Sequence, residues 1–142
     1  ELALLAEYFE GPAAEAGVEI RVQAGPVLQA DRELFRRAVG NLLANALRYT
    51  PRGGTIEVRA AQQEEEIVVS VENPGEGIAA EHLPKLFDRF YRADRARSQS
   101  ASSTGLGLAI VKTIMELHGG RAEASSRPGG PTRFSLRFPA AA

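Results

Sequence analysis

The chain has 142 residues, of which 44% are hydrophobic and 25% charged, as is typical of one globular domain with its own core. The net charge of -1 gives no electrostatic reason to expect nucleic-acid binding, and the absence of cysteine excludes disulfides and thiolate metal sites. No apolar stretch approaches the roughly 20 residues of a membrane helix. Because the sequence begins at Glu1 rather than methionine, without a visible signal peptide, we expect a piece of a longer protein.

The first thirty residues predict a helix followed by short strands. The helix should run from Leu2 to Ala16, bent or broken at Gly11-Pro12. Alternating apolar residues at 18–22 predict a half-buried strand, and 27–30 predict a second short strand.

The middle of the chain predicts a long helix and a hairpin. Asp31 is suited to cap a helix that runs to about Tyr49, where a proline and a glycine pair follow. Alternation at 56–60 and 67–71 predicts two strands, joined by a turn at 62–65.

The remaining residues predict two helices, a loop and two strands. A short helix at 81–87 should be interrupted by Pro84, and the arginine- and serine-rich segment 92–103 predicts a mobile loop. A helix follows from Gly105 to Leu117. Two last strands are expected at 121–126 and 134–138. Because the strands have one polar face, helices should cover the sheet on one side only, which gives a two-layer α/β sandwich of the α+β class.

Three polar residues form a stripe along the edge of the predicted 31–49 helix. Asn41, Asn45 and Arg48 are spaced i, i+4 and i+7, so they stack on one side of the apolar arc. Amide oxygens suit Mg²⁺, which takes few protein ligands and keeps waters and phosphate oxygens. Arg48 suits phosphate charge, and Tyr49 offers an aromatic face. Two asparagines alone would more often be ordinary edge residues, but two downstream glycine motifs reverse those odds.

Those glycine motifs each favour a ligand that approaches the backbone closely. Asn73-Pro74-Gly75-Glu76-Gly77 follows a strand directly, and the Asn73 amide could read a base edge because it both donates and accepts hydrogen bonds. Alone, this pattern is more often only a turn. Thr104-Gly105-Leu106-Gly107-Leu108 opens a helix, whose free N–H groups and dipole favour phosphate. The second motif is neither a P-loop nor a dinucleotide fingerprint.

Together these motifs resemble the ATP-binding catalytic domain of sensor histidine kinases, in the family shared with chaperone, mismatch-repair and gyrase ATPases. In this chain NLLANALRYTP at 41–51 resembles the N box of that family. NPGEG at 73–77 and TGLGLAIV at 104–111 resemble its two glycine boxes. LPKLFDRFYRAD at 83–94 resembles the F box, which the other ATPases lack. GGPTRFSLRFP at 129–139 resembles the family's closing strand. The amino-acid sequence of residues 81–97 especially resembles that of heavy-metal-responsive sensor kinases. The resemblance implies the Bergerat fold, with a mixed, mainly antiparallel sheet and helices on one face.

The resemblance also implies roles for single residues. Asn45 would bind Mg²⁺, with Asn41 as a phosphate or metal neighbour, and Arg48 and Arg92 would contact phosphates. Tyr49 would pack by the adenine. The implied catalytic residues are Asn45, Arg48 and Arg92. The implied binding residues for ATP are Asn41, Asn45, Arg48, Tyr49, Asn73, Gly75, Gly77, Ile78, Arg92, Thr104, Gly105, Leu106, Gly107 and Leu108.

A lid over the nucleotide is implied at about 92–104, within a single catalytic domain spanning 1–142. Phe87 and Phe90 would anchor that lid, although Phe87 is at least as readily a core residue. Two positions depart from the family pattern: Asn73 replaces the usual aspartate and Ser103 the usual glycine. A carboxylate only accepts hydrogen bonds, whereas an amide can flip and satisfy adenine or guanine, so we expect weaker discrimination between ATP and GTP.

Neither histidine is expected to be catalytic. His118 precedes a glycine pair at a helix end, where an imidazolium suits the dipole and a capping role is the default. His82 is expected in a short helix without a neighbouring acid. The resemblance places the phosphoacceptor histidine on a separate dimerisation domain of a homodimeric parent, and it implies a response regulator as partner. The parent would be anchored in the bacterial inner membrane, with this domain in the cytoplasm. The isolated domain would be monomeric. A non-kinase ATPase and a regulatory nucleotide-binding module remain alternatives.

Overall fold

The computed structural model describes residues 8–23, 25, 30–75, 77–78, 81–88, 107–126 and 129–139. In chain order these residues form α1 (Glu10–Ala16), β1 (Glu19–Gln23), α2 (Arg32–Tyr49), β2 (Thr55–Gln63), β3 (Glu66–Asn73), one 3-10 turn (Leu83–Lys85), α3 (Gly107–Leu117), β4 (Arg121–Ser125) and β5 (Thr132–Pro139). None of the helices in this part of the chain has the length and apolarity needed to cross a bilayer.

The five strands form one mixed sheet in the order β1-β2-β3-β5-β4. β1 and β2 run parallel, with α2 between them in sequence, and every other neighbouring pair is antiparallel. β2 and β3 are joined by a turn at Glu64-Glu65, which confirms the predicted hairpin. The predicted fold class, a two-layer α+β sandwich with a mainly antiparallel sheet, is confirmed.

The hydrophobic core lies between one face of the sheet and the helices. α2 contributes a continuous buried side, and α3 packs beside it on the same face of the sheet. The buried residues of α2 are Phe35, Ala38, Val39, Leu42, Leu43 and Ala46. They lie on one side of the helix, as the apolar arc expected from the sequence requires, and Leu34 packs half-buried against the core. This arrangement leaves the polar edge of α2 at the rim of the core.

The opposite face of the sheet carries paired charges. Arg121 contacts Glu66 at 3.0 Å, and Arg133 contacts the Glu72 carboxylate at 2.9 Å, each pair joining residues on different strands. Arg133 and Glu72 are direct partners on neighbouring strands, an arrangement that stabilises a sheet surface by about 0.2–1 kcal/mol, whereas Arg121 reaches Glu66 across β5. The helices therefore cover one face only, as the alternation of the strands predicts.

Two local predictions are wrong in detail. The helix is not broken at Gly11-Pro12: α1 begins at Glu10 and runs through both residues, and Ala13 N–H donates to the Phe9 carbonyl at 2.9 Å. Pro12 is tolerated in this first turn because an N–H there has no partner within the helix. The predicted helix at 81–87 is a single 3-10 turn that contains Pro84 instead of being interrupted by it.

Phe87 follows that turn and belongs to the core. It packs against the buried cluster, and its ring meets that of Phe134 edge-on, with 6.0 Å between the ring centres. The core alternative for Phe87 is therefore the one that the structure supports. Its proposed companion Phe90, the predicted lid at 92–104 and most of the predicted strand at 27–30 lie outside the described residues.

Candidate functional site

The polar edge of α2 is presented by a helix with a defined start. Asp31 accepts a hydrogen bond from Leu34 N–H at 2.9 Å, which confirms the predicted N-cap. Further along, Asn41 and Asn45 are half-buried at the rim, next to the core face of the helix. Neither amide hydrogen-bonds another described residue.

Arg48 and Tyr49 complete this edge at the end of α2. Both side chains are exposed, and the guanidinium carbon of Arg48 lies 5.9 Å from the centre of the Tyr49 ring. That distance is within the range of a cation–π contact, which orients the two groups together. The last turn of α2 therefore offers a cation and an aromatic ring side by side.

The start of α3 meets α2 at Asn41. A Cβ atom built on Gly107 would lie 3.9 Å from Asn41 Cγ and 4.0 Å from its Oδ1. Gly107 is the first described residue of α3, where backbone N–H groups have no partner within the helix. The structure thus brings one asparagine of the polar stripe against the second glycine motif, although 66 positions separate them in sequence.

The turn after β3 meets the other end of α2. Gly75 has φ +153°, and a Cβ atom there would lie 3.0 Å from the carbonyl oxygen of Tyr49 and 3.8 Å from Asn73 Nδ2. The preceding Asn73 is only 4% exposed, and its Nδ2 donates to the carbonyl oxygen of Pro74 at 2.8 Å. Glycine at position 75 is required by this close approach, since a side chain would press on the end of α2.

Two hydroxyl groups hold the segment that follows this turn. Ile78 N–H donates to Ser126 Oγ at 2.8 Å, and Ser126 Oγ lies 2.8 Å from Thr132 Oγ1. Thr132 is 6% exposed and pairs directly with Asn73 in the ladder between β3 and β5. Ser126 and Thr132 were not identified from the sequence. Thr132 could have been flagged because it opens a strand after Gly-Gly-Pro, but its pairing with Asn73 depends on strand register.

These contacts define a candidate site with two ends on one helix. The residues from Asn41 to Tyr49 span about 12 Å of α2, so Asn41 and Gly107 mark one end while Asn73 and Gly75 mark the other. The site suits an elongated ligand with a planar end and a charged end. Among the other predicted binding residues, Gly77 adopts φ +77° and Leu108 packs half-buried against the core. Four predicted residues lie outside the described residues: Arg92, Thr104, Gly105 and Leu106.

The donor set at the Asn41 end fits a hard cation better than a soft one. No cluster of three or more His, Cys, Asp or Glu side chains that could hold a metal occurs among the described residues. Two half-buried amide oxygens that accept no hydrogen bond from a described residue suit Mg²⁺, which retains waters and is usually completed by phosphate oxygens. The residues present are thus compatible with a magnesium–nucleotide complex.

His118 has a structural role away from this site. Its Nδ1 lies 2.8 Å from the Ile114 carbonyl oxygen, and its Nε2 accepts from Asp31 N–H at 3.0 Å. The predicted capping role is confirmed, because the ring lies at hydrogen-bond distance from a carbonyl in the last turn of α3. For the other histidine, the expectation of a short helix without a neighbouring acid is wrong: His82 lies in a turn, and its Nε2 is 3.8 Å from a carboxylate oxygen of Glu81.

A model of the family described as "Histidine kinase-, DNA gyrase B-, and HSP90-like ATPase" matches residues 30–142. The chain is 48% identical over 136 residues to "Sensor protein IrlS" of Burkholderia pseudomallei, covering 96% of the chain and 29% of that relative. It is 47% identical over 141 residues to "Sensor histidine kinase CusS" of Escherichia coli, covering 99% of the chain and 29% of that relative.

Among solved structures, full-length ShkA in complex with AMPPNP superposes with a TM-score of 0.85 at 27% identity, over 99% of this chain and 30% of that one. The chain thus spans less than a third of the length of each of these three proteins. The resemblance inferred from the boxes, including the F box, is confirmed at the level of the family and of its sensor-kinase members.

Proposed function

Because the chain belongs to the family of histidine kinase-, DNA gyrase B- and HSP90-like ATPases, we propose that it binds Mg-ATP and donates the γ-phosphoryl group to a histidine on a separate dimerisation domain. The parent would be a homodimeric sensor histidine kinase that passes the phosphoryl group on to a response regulator. This domain would work in the cytoplasm, where ATP is found, with the parent anchored in the bacterial inner membrane.

The observation that carries the proposal is the proximity of Asn41 to Gly107, whose Cβ position lies 3.9 Å from Asn41 Cγ. It unites the polar stripe of α2 with the start of α3, two features that are ordinary when apart. The positive end of a helix dipole and its unpaired N–H groups favour phosphate, and an amide oxygen beside them favours the counterion. A triphosphate lying along α2 would then direct its base toward Asn73 and Gly75.

The chemistry assigned to this chain is positioning and charge neutralisation, since phosphoryl transfer needs little covalent help from the protein. Asn45 and Asn41 would hold Mg²⁺, which when bound neutralises charge on the β- and γ-phosphates. Arg48, at the exposed end of the polar stripe, would contact phosphate oxygens. Arg92 is proposed for the same role on sequence grounds alone.

The acceptor histidine is assigned to another domain because neither histidine of this chain suits in-line attack. His118 lies eleven positions after Gly107, about 16 Å along α3, and both of its ring nitrogens are engaged in hydrogen bonds. His82 precedes the 3-10 turn, in a segment that makes none of the site contacts described above.

The test has two stages. Calorimetry should show ATP binding to this chain that is strengthened by Mg²⁺, and radiolabelled ATP should leave no acid-labile phosphate on the chain alone. Addition of the parent's dimerisation domain should restore labelling, and a variant of that domain lacking its histidine is the control. Acid-labile phosphate on this chain alone would contradict the assignment. Binding without any transfer would instead favour a regulatory nucleotide-binding module, an alternative suggested by the departures at Asn73 and Ser103.

A further inference from the structure

A row of polar side chains ends the core side of the sheet, next to the turn that follows β3. Asn73 is the last residue of β3 and pairs in the ladder with Thr132, the first residue of β5. Because side chains alternate along a strand, Asn73 lies on the same face as the buried Val71. Ser126 directly follows β4, and its Oγ lies 2.8 Å from Thr132 Oγ1. The row therefore joins three strands through polar side chains.

The hydroxyl of Ser126 holds the far end of that turn. Ile78 N–H donates to Ser126 Oγ at 2.8 Å, across 48 positions of sequence. No other hydrogen bond from a described residue reaches the backbone of Gly77 or Ile78. The near end of the turn is fixed separately, because Asn73 belongs to the ladder between β3 and β5. Among the described residues, Ser126 therefore supplies the polar contact that fixes the far end.

This contact matters because the turn contains two glycines. Gly75 has φ +153° and Gly77 has φ +77°, and glycine has more conformational freedom to lose on folding than any other residue. Such a turn keeps one conformation only when both of its ends are held. The Ile78 side chain already packs half-buried against the core, and the bond to Ser126 fixes the backbone that carries it. A turn that is ordered before the ligand arrives lowers the entropy cost of binding.

We infer that Ser126 is a positioning residue for the planar end of the nucleotide. It acts through the backbone of Ile78 and does not itself contact the ligand. The inference rests on the proposed function, which directs the base toward Asn73. The metal and the phosphates would lie at the other end of the site, at Asn41, about 12 Å away along α2. Loss of the Ser126 hydroxyl should therefore weaken nucleotide binding without changing the effect of Mg²⁺.

Calorimetry with ATP, with and without Mg²⁺, tests this on three variants. Ser126→Ala should bind Mg-ATP roughly 3- to 10-fold more weakly, the effect of one lost hydrogen bond, while the ratio of affinities with and without Mg²⁺ stays as in the wild type. Ser126→Thr retains the hydroxyl and should restore the affinity. Ser125→Ala removes an exposed hydroxyl from the neighbouring position and should change neither quantity. Reduced stability alone cannot produce this result, because nearly all molecules stay folded after the loss of one hydrogen bond.

Amide hydrogen exchange measured by NMR reports the contact directly. In the nucleotide-free wild type, the Ile78 amide should be protected. In Ser126→Ala its exchange should accelerate by a larger factor than that of the amides of β3, which report opening of the sheet. If Ser126→Ala does not fold, the wild type still decides, since an Ile78 amide that exchanges as fast as an unstructured peptide would overturn the inference.

The binding results separate the inference from the proposed function. Wild-type affinity in folded Ser126→Ala, or a folded Ser126→Thr that does not regain affinity, would overturn the inference and leave the proposed function intact. An equal loss in Ser125→Ala, or a changed Mg²⁺ ratio in Ser126→Ala, would also overturn it. Failure of the wild type to bind ATP would overturn the proposed function, and the inference with it.

Discussion

The junction between α2 and α3 makes Gly107→Ala a direct test of the phosphate end of the site. A methyl group at Gly107 would lie 3.9 Å from Asn41 Cγ, which is ordinary van der Waals contact, so the substitution causes no clash. Alanine also favours the helical backbone over glycine by up to about 1 kcal/mol. We therefore expect the free energy of unfolding to stay unchanged or to rise.

Nucleotide affinity should fall in the same variant. Phosphate oxygens must come within about 2.9 Å of the N–H groups that bind them, and the new methyl group would occupy the space between the start of α3 and Asn41. Loss of one hydrogen bond to a charged group costs about 1.5–3 kcal/mol. That loss corresponds to roughly 10- to 150-fold weaker binding of Mg-ATP.

Gly40→Ala is the matched control, since Gly40 precedes Asn41 within α2 and a Cβ atom there would meet nothing within 4 Å. It should raise stability by about 1 kcal/mol, a Tm increase of roughly 3–5 °C, without changing affinity. Calorimetry and thermal unfolding of the three proteins suffice. Wild-type affinity in Gly107→Ala would refute the assignment of this junction to phosphate, and an equal loss in Gly40→Ala would attribute the effect to the helix instead.

Two further predictions concern the metal and the outer face of the sheet. Asn45→Ala should remove the enhancement of ATP affinity by Mg²⁺ while leaving the fold intact, because it deletes a half-buried amide oxygen. Gln62→Ala, at an exposed position, is the control. An unchanged Mg²⁺ effect in Asn45→Ala would exclude Asn45 from the metal site. A hydrogen bond from Arg137 holds the pKa of the Glu123 carboxyl below its ordinary value. The stabilisation is therefore complete above about pH 4.5 and is lost as pH falls through the lowered pKa. Because the Glu123 side chain is 45% exposed, the effect should stay below about 1 kcal/mol. Glu123→Gln should flatten this part of an acid-unfolding curve, and an unchanged curve would show that the ion pair contributes nothing.

Features governed by local chemistry could be predicted from the sequence. The Asp31 cap depends on a side chain three residues from the N–H that it accepts, and the buried side of α2 follows from helical spacing. The hairpin between β2 and β3 follows from alternation and a short polar turn. The polar stripe of Asn41 and Asn45 was likewise visible, because residues one turn apart stack on a helix.

Features that depend on neighbours distant in sequence could not be predicted. The ladder partner of Asn73 is Thr132, and nothing near position 73 indicates the register that pairs them. The hydroxyl of Ser126 supports Ile78 N–H across 48 positions. The orientation of the Asn73 amide is local, but it required the conformation of the turn to bring the Pro74 carbonyl onto the nitrogen. Pattern alone allowed both orientations.

The distance between the two ends of the site is set by a helix that is anchored at both termini. At its start, Asp31 caps α2 with its side chain and donates its own N–H to His118, which ties α2 to the end of α3. At its end, Thr50 donates both its N–H and its hydroxyl to a carbonyl one turn back. Because an α-helix barely changes length, Asn41 and Tyr49 keep a fixed separation whether or not a ligand is bound. The contacts at Gly107 and Gly75 are therefore formed on a rigid element, which lowers the entropy cost of binding an extended nucleotide.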